Sequence, residues 1–150
     1  MKRILDYCRK VNDMIIPLIE DLLSQCPEPL ASASKYLILA GGKRLRPTLL
    51  LLAVRVSGGD VEKAIPAAVS IELLHNFTLI HDDVMDRDEM RRGVPTVHKI
   101  WGEPMAILAG DYLFSKAYEA LLKLVENGID YGSVVEATRV LTWAASTVAE

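Results

Sequence analysis

The spacing of apolar residues is the feature that most constrains the fold of this chain. Across its 150 residues they recur at intervals of three and four, and no stretch shows the sustained alternation that predicts strands. This length suits one domain, so we expect an all-α fold in which residues 1–150 form a single domain. Six helices are expected, at residues 2–24, 32–40, 47–56, 61–86, 103–126 and from 131 onward.

Glycine, proline and aspartate residues mark the ends of these helices. Gly41 and Gly42 suit the C-terminal cap of the second helix, and Pro47 suits the first turn of the third. Asp60 is a candidate N-cap for the fourth helix, since a side-chain oxygen there can accept a hydrogen bond from the first turn. Residues 93–95, Gly-Val-Pro, are expected to form a break beyond the fourth helix.

The chain is rich in apolar residues. It is 51% hydrophobic with a mean hydropathy of +0.21. Charged residues nevertheless interrupt every apolar run before the roughly 18 residues that a membrane span needs. The excess apolar surface must therefore be buried in a core, against a partner or around an apolar ligand.

Charge and cysteine content narrow the functional classes. A net charge of −3 and a pI near 5.6 argue against nucleic acid as the main partner. Cys8 and Cys26 are too few for a disulfide framework, and the N-terminal residues run into charge too soon for a signal peptide. We therefore expect a cytoplasmic protein.

A dense group of carboxylates lies at the end of the fourth predicted helix. Five acidic residues fall between Asp82 and Glu89, directly after an apolar run. At about 100° per residue, Asp86 lies within about 40° of Asp82, and His75 within about 20°, so the three share one face. Exposed carboxylates at this spacing repel each other by roughly 0.2–0.5 kcal/mol, and the helix C-terminus disfavours them further.

Two interpretations of these carboxylates are open at this point. They could form a solvated acidic helix end, with Arg91 and Arg92 as partial counterions. Alternatively, Asp82 and Asp86 form a site for a hard cation, and oxygen ligands alone favour Mg²⁺. Because Mg²⁺ prefers one or two carboxylates together with substrate phosphates, the second interpretation predicts a phosphate-bearing substrate and basic groups elsewhere in the sequence.

Basic groups of this kind occur between Ala40 and Pro47. Two glycines free the backbone, three cations follow, and Pro47 opens a helix whose N–H groups and positive dipole end favour an anion. The segment is not a P-loop, because the GxxxxGK[ST] spacing is absent. A solvated loop is the alternative interpretation. Arg91 and Arg92 form a second basic pair, so the charges predict two anionic groups or one large one.

Four sequence segments together resemble the trans-isoprenyl diphosphate synthase (polyprenyl synthetase) family, and its archaeal-type geranylgeranyl diphosphate synthases most closely. They are GGKRLRP, ELLHNFTLIHDDVMD, RRGVPTVH and LAGDYL, in that family's order. The resemblance implies an antiparallel helix bundle around a deep apolar cavity. It implies Mg²⁺-dependent condensation of isopentenyl diphosphate with an allylic diphosphate, namely dimethylallyl, geranyl or farnesyl diphosphate. It also implies a homodimer, or a heteromer with a partner chain.

The resemblance further implies roles for individual residues. Asp82 and Asp86 match the metal ligands, with Asp83 as a supporting carboxylate, and Arg91 matches the arginine that binds the allylic diphosphate. Four residues match positions that hold isopentenyl diphosphate: Lys43, Arg46, His75 and Arg92. No side chain is assigned a catalytic role. Asp111 and His81 receive no role, and His98 is expected to pack near the loop.

The family's product length is set near the first aspartate-rich segment, and the resemblance implies the same here. Phe77 is the fifth residue before Asp82, the position that often forms the floor of the hydrocarbon pocket, and the small Thr78 follows it. This pattern predicts a C20 product, geranylgeranyl diphosphate. The helical wheel gives no support, because Phe77 lies about 140° from Asp82. Plain core packing is the alternative role for Phe77.

The chain also departs from the family pattern. Family members are considerably longer and carry a second aspartate-rich motif in their C-terminal half, whereas the acids after Asp111 are scattered. The helical pattern still continues at Glu150. We therefore expect these residues to supply one wall of an active site and to be inactive, or nearly so, without the other wall.

Three functional hypotheses follow from this departure. The chain is a truncated or split N-terminal half that needs a C-terminal partner, or a noncatalytic subunit of a heteromeric synthase. The third hypothesis is another metal-phosphate enzyme, such as a terpene cyclase or an HD-type phosphohydrolase, given His75 and His81-Asp82. The complete basic set argues against the noncatalytic subunit. A terpene cyclase needs no isopentenyl diphosphate site, and the remaining ligands of an HD site are missing.

Overall fold

The computed structural model of the chain describes residues 2–149, with side chains described from Ile4 to Val148. This part of the chain forms seven helices and one two-stranded hairpin, which confirms the all-α fold. The helices are α1 (Lys2–Leu23), α2 (Leu30–Leu39), α3 (Leu45–Val56), α4 (Ile65–Asp86), α5 (Val97–Trp101), α6 (Glu103–Leu122) and α7 (Tyr131–Ala149). The strands are β1 (Met90–Arg91) and β2 (Val94–Pro95).

Helix α4 is the central element, packed against α1, α3, α5 and α6. Each fully buried aliphatic side chain of this core contributes about 1.5–3 kcal/mol by leaving water. The largest of these side chains are Ile15, Ile19, Leu22, Leu23, Leu37, Ile38, Leu51, Leu73, Ile80 and Leu113. Gly110 lets α6 approach α4 closely, because a Cβ atom there would lie 2.2 Å from His81 Nε2. The core thus holds α4 rigidly, and α4 carries most of the candidate site.

The fourth helix begins later than the sequence predicted. It starts at Ile65 rather than at residue 61, and Pro66 lies in its first turn. A proline cannot donate the backbone hydrogen bond that a helix interior requires, so the helix starts beside Pro66 and residues 61–64 form turns. Asp60 therefore does not cap α4. Its Oδ1 atom accepts the backbone N–H of Glu62 at 3.0 Å and stabilises the preceding turn.

Other predicted helix boundaries differ by smaller amounts. Helix α6 ends at Leu122 rather than at residue 126, and turns cover residues 123–128. Helix α2 begins at Leu30, two residues before the predicted start, and ends at Leu39, one residue before the predicted end. Helix α3 begins at Leu45, two residues before the predicted start, and Pro47 lies in its first turn as predicted.

The segment from Met90 to Trp101 contains two elements that the sequence did not predict. Strands β1 and β2 pair antiparallel, with Met90 opposite Pro95 and Arg91 opposite Val94. Arg92 and Gly93 form the two-residue turn at φ 54° and 80°, the left-handed values of a type I′ hairpin turn. Such turns usually carry Asn-Gly, so Arg-Gly gave no signal. The short helix α5 follows, and His98 lies on it.

No helix in the described part of the chain combines the length and the apolar character that crossing a bilayer would require.

Candidate functional site

A cavity of about 530 Å³ lies between α3, α4 and α7. Its wall combines apolar side chains with a basic, an acidic and two imidazole groups. Arg46 contributes from α3. Helix α4 contributes Ile71, Leu74, His75, Phe77, Thr78, His81, Asp82 and Met85, and helix α7 contributes Ala144, Ala145 and Val148. The face shared by His75 and Asp82, which the helical wheel predicted, therefore lines one cavity.

Arg46 and His75 form a polar pair in this wall. Arg46 Nη1–H donates to His75 Nε2 at 3.2 Å, although the residues are 29 positions apart in sequence. Burial, and then the positive charge of Arg46, lowers the pKa of His75 to about 4. The imidazole is therefore neutral near pH 7. Because Nε2 accepts from arginine, the ring proton is on Nδ1, and the pair offers N–H donors to an anion.

Asp82 and Asp86 are exposed at the other end of α4's cavity face. Asp82 lines the cavity, and Asp86 follows one helical turn later. Neither carboxylate makes a hydrogen bond or an ion pair with any side chain in the described range 4–148. No group of three or more potential metal-ligating side chains occurs in that range. Two accessible carboxylates, without a protein cage, fit the donor set of an Mg²⁺ ion that takes its other oxygens from phosphate and water.

Asp83 turns the other way, into the protein. Its side chain is 1% exposed, and Arg91 Nε donates to Asp83 Oδ1 at 2.5 Å. Burial raises the pKa of Asp83, and the Arg91 guanidinium opposes that rise. Arg91 also contacts Asp88 at 3.4 Å and keeps about a quarter of its side chain exposed. Asp83 therefore anchors Arg91 and the hairpin against α4, instead of lying beside Asp82.

Arg92 supports the loop that precedes α3. It is partly buried, and its Nη1 donates to the carbonyl oxygen of Leu37 at 2.7 Å and to that of Gly41. Burial, together with the nearby Arg44, lowers the pKa of Arg92. The sequence separation of Arg92 from this loop gave no sign of the contact. This contact brings the basic pair Arg91 and Arg92 to the basic segment between Ala40 and Pro47.

Lys43 lies on the opposite side of the same loop from Arg46. It lines a second cavity, of about 520 Å³, between the loop and residues of α1 that include Asn12 and Asp13. Of the four residues matched to isopentenyl diphosphate, the structure brings Arg46 and His75 into direct contact and Arg92 onto the same loop. It does not bring Lys43 to the Arg46–His75 cavity.

Phe77 lines the same cavity as Asp82, a position for which the helical wheel gave no support. The ring packs edge-on against His81, with centroids 4.7 Å apart, and against Phe114 at 5.1 Å. A large side chain extends well away from its Cα position and leans towards the helix N-terminus, so the angle between Cα atoms understates what it can reach.

Sequence reasoning missed three residues around the site. Glu72 is buried under the loop and pairs with Arg44, and His81 is held by the carbonyl oxygen of Ile107 at 3.2 Å. The position of Glu72 inside the apolar run Ile71–Leu74 was a signal that this carboxylate is buried and paired, because buried carboxylates almost always have a partner. The glycine at position 110 gave no comparable signal for His81.

Comparisons with known proteins agree on one family for this chain. The polyprenyl synthetase family model matches residues 27–150. A short chain isoprenyl diphosphate synthase of Methanothermobacter thermautotrophicus is 49% identical over 151 residues, which cover 100% of this chain and 45% of that protein. A geranylgeranyl diphosphate synthase of Methanosarcina mazei is 54% identical over 125 residues, or 83% of this chain and 38% of that protein.

A solved structure agrees with these relatives. The geranylgeranyl pyrophosphate synthetase of Geoglobus acetivorans superposes with a TM-score of 0.82 at 45% identity, over 94% of this chain and 44% of that one. This chain thus spans less than half the length of the proteins it matches. On the family match, the identities and the shared fold, the chain belongs to the polyprenyl synthetase family.

Proposed function

We propose that these residues form one wall of a trans-prenyltransferase active site, which condenses isopentenyl diphosphate with an allylic diphosphate. The observation that carries the proposal is the cavity between α3, α4 and α7. It combines the Arg46–His75 pair, the exposed Asp82 and an apolar lining that includes Phe77. Anion donors, a hard-cation ligand and hydrocarbon space are the three features that this reaction requires.

Asp82 and Asp86 hold Mg²⁺ together with the diphosphate of the allylic substrate. When bound there, Mg²⁺ would supply Lewis-acid stabilisation for the charge on a leaving diphosphate. Arg91 keeps a partly exposed guanidinium near this end of α4, and Asp83 fixes its position. Exposed carboxylates at i and i+4 repel each other until a cation neutralises them, so their placement favours binding over stability.

Arg46, His75, Arg92 and Lys43 hold isopentenyl diphosphate. The neutral His75 adds a hydrogen-bond donor without adding a charge, and Arg46 supplies a fixed charge beside it. Lys43 lines the second cavity in this structure, so its role requires its exposed and flexible side chain to swing towards the same anion.

The chemistry follows from these positions. The C1–O bond of the allylic diphosphate breaks, and its electron pair leaves with the diphosphate. The double bond of isopentenyl diphosphate then attacks the allylic cation at C1, and the adduct loses a proton to the released diphosphate. Fixed cations stabilise the charge that develops on the leaving group. The apolar lining, with Ile71 and Leu74 on α4, keeps water from the cation.

The product is proposed to be geranylgeranyl diphosphate, with Phe77 as the floor of the hydrocarbon space. The Phe77 ring packs edge-on against His81 and Phe114, and this packing stiffens it as a barrier. Thr78, next to it, also lines the cavity and leaves room on that side.

The other wall of the site is proposed to come from a C-terminal half, in the same or in a partner chain. Large apolar side chains on α3 and α7 are exposed here, among them Leu49 at 65% and Trp143 at 66%. Apolar surface of this size suits burial against another protein element. A noncatalytic subunit of a heteromeric synthase is the alternative candidate, which the following assay distinguishes.

The test is an incorporation assay. The chain is incubated with labelled isopentenyl diphosphate, an allylic diphosphate and Mg²⁺, with and without a C-terminal fragment of a related synthase. We expect a C20 product only with the fragment. Product from the chain alone would overturn the one-wall proposal, and no product in either condition would favour the noncatalytic subunit. Turnover of the allylic diphosphate that does not depend on isopentenyl diphosphate would instead favour a terpene cyclase.

A further inference from the structure

Arg44 differs from the other two cations of its segment. Lys43 and Arg46 are exposed, whereas Arg44 is buried at 4% exposure and adopts a left-handed φ of 51°. A left-handed, buried arginine is costly unless its surroundings hold it there. All three nitrogens of its guanidinium group donate hydrogen bonds to the protein, and Arg44 does not line the cavity that contains Arg46 and His75.

The partners of Arg44 tie the loop to three helices. Nη1 donates to Glu72 Oε1 at 2.7 Å, Nε to Asn12 Oδ1 at 2.9 Å, and Nη2 to the carbonyl oxygen of Ile38 at 2.5 Å. Glu72 is itself 2% exposed and lies on α4, three residues before His75. The ion pair therefore fixes the loop to the same helix that carries the His75 imidazole.

Arg44 is also coupled to Arg92. Both guanidinium groups donate to the carbonyl oxygen of Gly41. A Cβ atom on Gly42 would lie 3.1 Å from Arg44 Nη1 and 3.1 Å from Arg92 Cζ. Both guanidinium groups thus pack against Gly42 and share the Gly41 carbonyl oxygen, so a displacement of Arg44 changes the surroundings that hold Arg92.

We propose that Arg44 and Glu72 are positioning residues for the diphosphate site, and that neither contacts the anion. Glu72 neutralises Arg44, and the pair holds residues 41–46 and Arg92 in the arrangement that presents the remaining cations. This inference rests on the proposed function, because it assumes that the Arg46–His75 side of the loop binds a diphosphate.

The direction in which one substitution changes the Kd for pyrophosphate distinguishes a positioning role from simple electrostatics. Glu72→Gln removes a negative charge from beneath a cationic site, so Coulomb attraction alone predicts tighter anion binding. Positioning predicts the opposite. Without the ion pair the loop loses its fixed geometry, and we expect the Kd for pyrophosphate to rise on the order of tenfold.

The experiment is a calorimetric titration of the 150-residue chain with inorganic pyrophosphate. Asp13→Asn is the matched control, because it removes an exposed charge beside the same loop without touching Arg44. We expect equal or slightly tighter binding for Asp13→Asn and weaker binding for Glu72→Gln. Glu72→Gln binding as tightly as the wild type, or more tightly, overturns the positioning role.

Two further variants keep the inference testable. If Glu72→Gln does not fold, as judged by circular dichroism, Asn12→Ala removes one Arg44 hydrogen bond and leaves the ion pair intact. Its Kd should rise less than tenfold but measurably, and an unchanged Kd overturns the inference. Arg46→Met tests the proposed function itself. If the wild type binds no pyrophosphate, or Arg46→Met binds equally well, the anion site is wrong and the positioning role falls with it.

Discussion

The basic loop before α3 and the acidic end of α4 share an arrangement of charged residues but differ in how completely those residues are paired. In each, one charged residue turns inward between outward neighbours: Arg44 in the loop and Asp83 in the helix. Every guanidinium nitrogen of Arg44 has a protein acceptor. Asp83 has an arginine on Oδ1, but its buried Oδ2 has no partner in the described part of the chain.

The outward residues of the two regions also differ in how completely they are paired. Arg46 is already paired with His75, whereas the carboxylates of Asp82 and Asp86 make no hydrogen bond or ion pair within residues 4–148. The loop is therefore organised before any ligand binds, and the acidic helix end depends on a cation. In such a site the inward residues should control stability and the outward residues should control function.

Asp82→Ala should have the largest effect on activity. In the chain combined with a C-terminal fragment we expect at least about a thousandfold loss of product formation, since the leaving diphosphate loses its metal support. The melting temperature should stay the same or rise, because a like-charge repulsion is removed. Asp21→Ala, which changes an exposed acid on α1 away from the cavity, is the control and should retain activity. A thousandfold loss with Asp21→Ala as well would remove the distinction between the two acids.

Glu72→Ala should have the largest effect on stability. Removing one partner of a buried ion pair leaves the other charge uncompensated, which costs about 3–5 kcal/mol. Urea unfolding of the chain measures this loss. Asp13→Ala on exposed α1 surface should change the unfolding free energy by less than about 0.5 kcal/mol. The contrast between inward and outward residues fails if the two variants lose equal stability.

Phe77→Ser should change the product rather than the rate of the first condensation. With the ring removed, its supporting neighbours His81 and Phe114 face an open space, and we expect products longer than C20 from the combined enzyme. Chromatography of the prenyl products measures the length. Thr78→Ala is the control, since Thr78 lines the same cavity without closing it. Unchanged product length in an active Phe77→Ser enzyme would assign Phe77 to plain core packing.

His75 should give the smallest effect, seen as a pH dependence of stability. Its pKa is about 4 in the folded chain against an ordinary 6.5, so the unfolded chain binds a proton first as the pH falls. The neutral imidazole thus stabilises the fold above pH 6.5, and this contribution is lost between pH 6.5 and about 4. Partial exposure of the ring reduces the size of the effect through solvent screening.

The variant His75→Gln tests this pH dependence. Glutamine keeps an acceptor for Arg46 but does not titrate, so the loss of unfolding free energy across that window should be smaller than in the wild type. Urea unfolding at both ends of the window gives the comparison. Identical slopes for the two proteins would mean that the pKa of His75 does not change on folding.

Much of this arrangement could be predicted from the sequence, because it depends on local spacing. Helical periodicity predicted the all-α fold, and the angles between His75, Asp82 and Asp86 follow from the pitch of a single helix. The same reasoning was uninformative for Phe77, because the angle between Cα atoms does not show how far a long side chain reaches. The Phe77 side chain lines the cavity although the wheel gave no support for that position.

The rest depends on contacts between residues distant in sequence. Nothing local shows that Arg44 meets Glu72 after 28 positions, or that Arg92 supports Gly41 after 51. A run of three cations gives no indication of which one turns inward. The hairpin at Arg92-Gly93 was missed for a different reason, since an arginine at positive φ is held by its tertiary contacts rather than by local preference.

The most direct test of the contrast between the two regions is an NMR titration of the ¹⁵N-labelled chain with pyrophosphate, first without and then with Mg²⁺. Without Mg²⁺, we predict shifts confined to the amides of residues 41–46, His75 and Arg92. Adding Mg²⁺ should extend them to residues 82–86. Shifts at 82–86 that need no Mg²⁺, or none at 41–46, would contradict the account of a preformed anion site beside a cation-dependent acidic end.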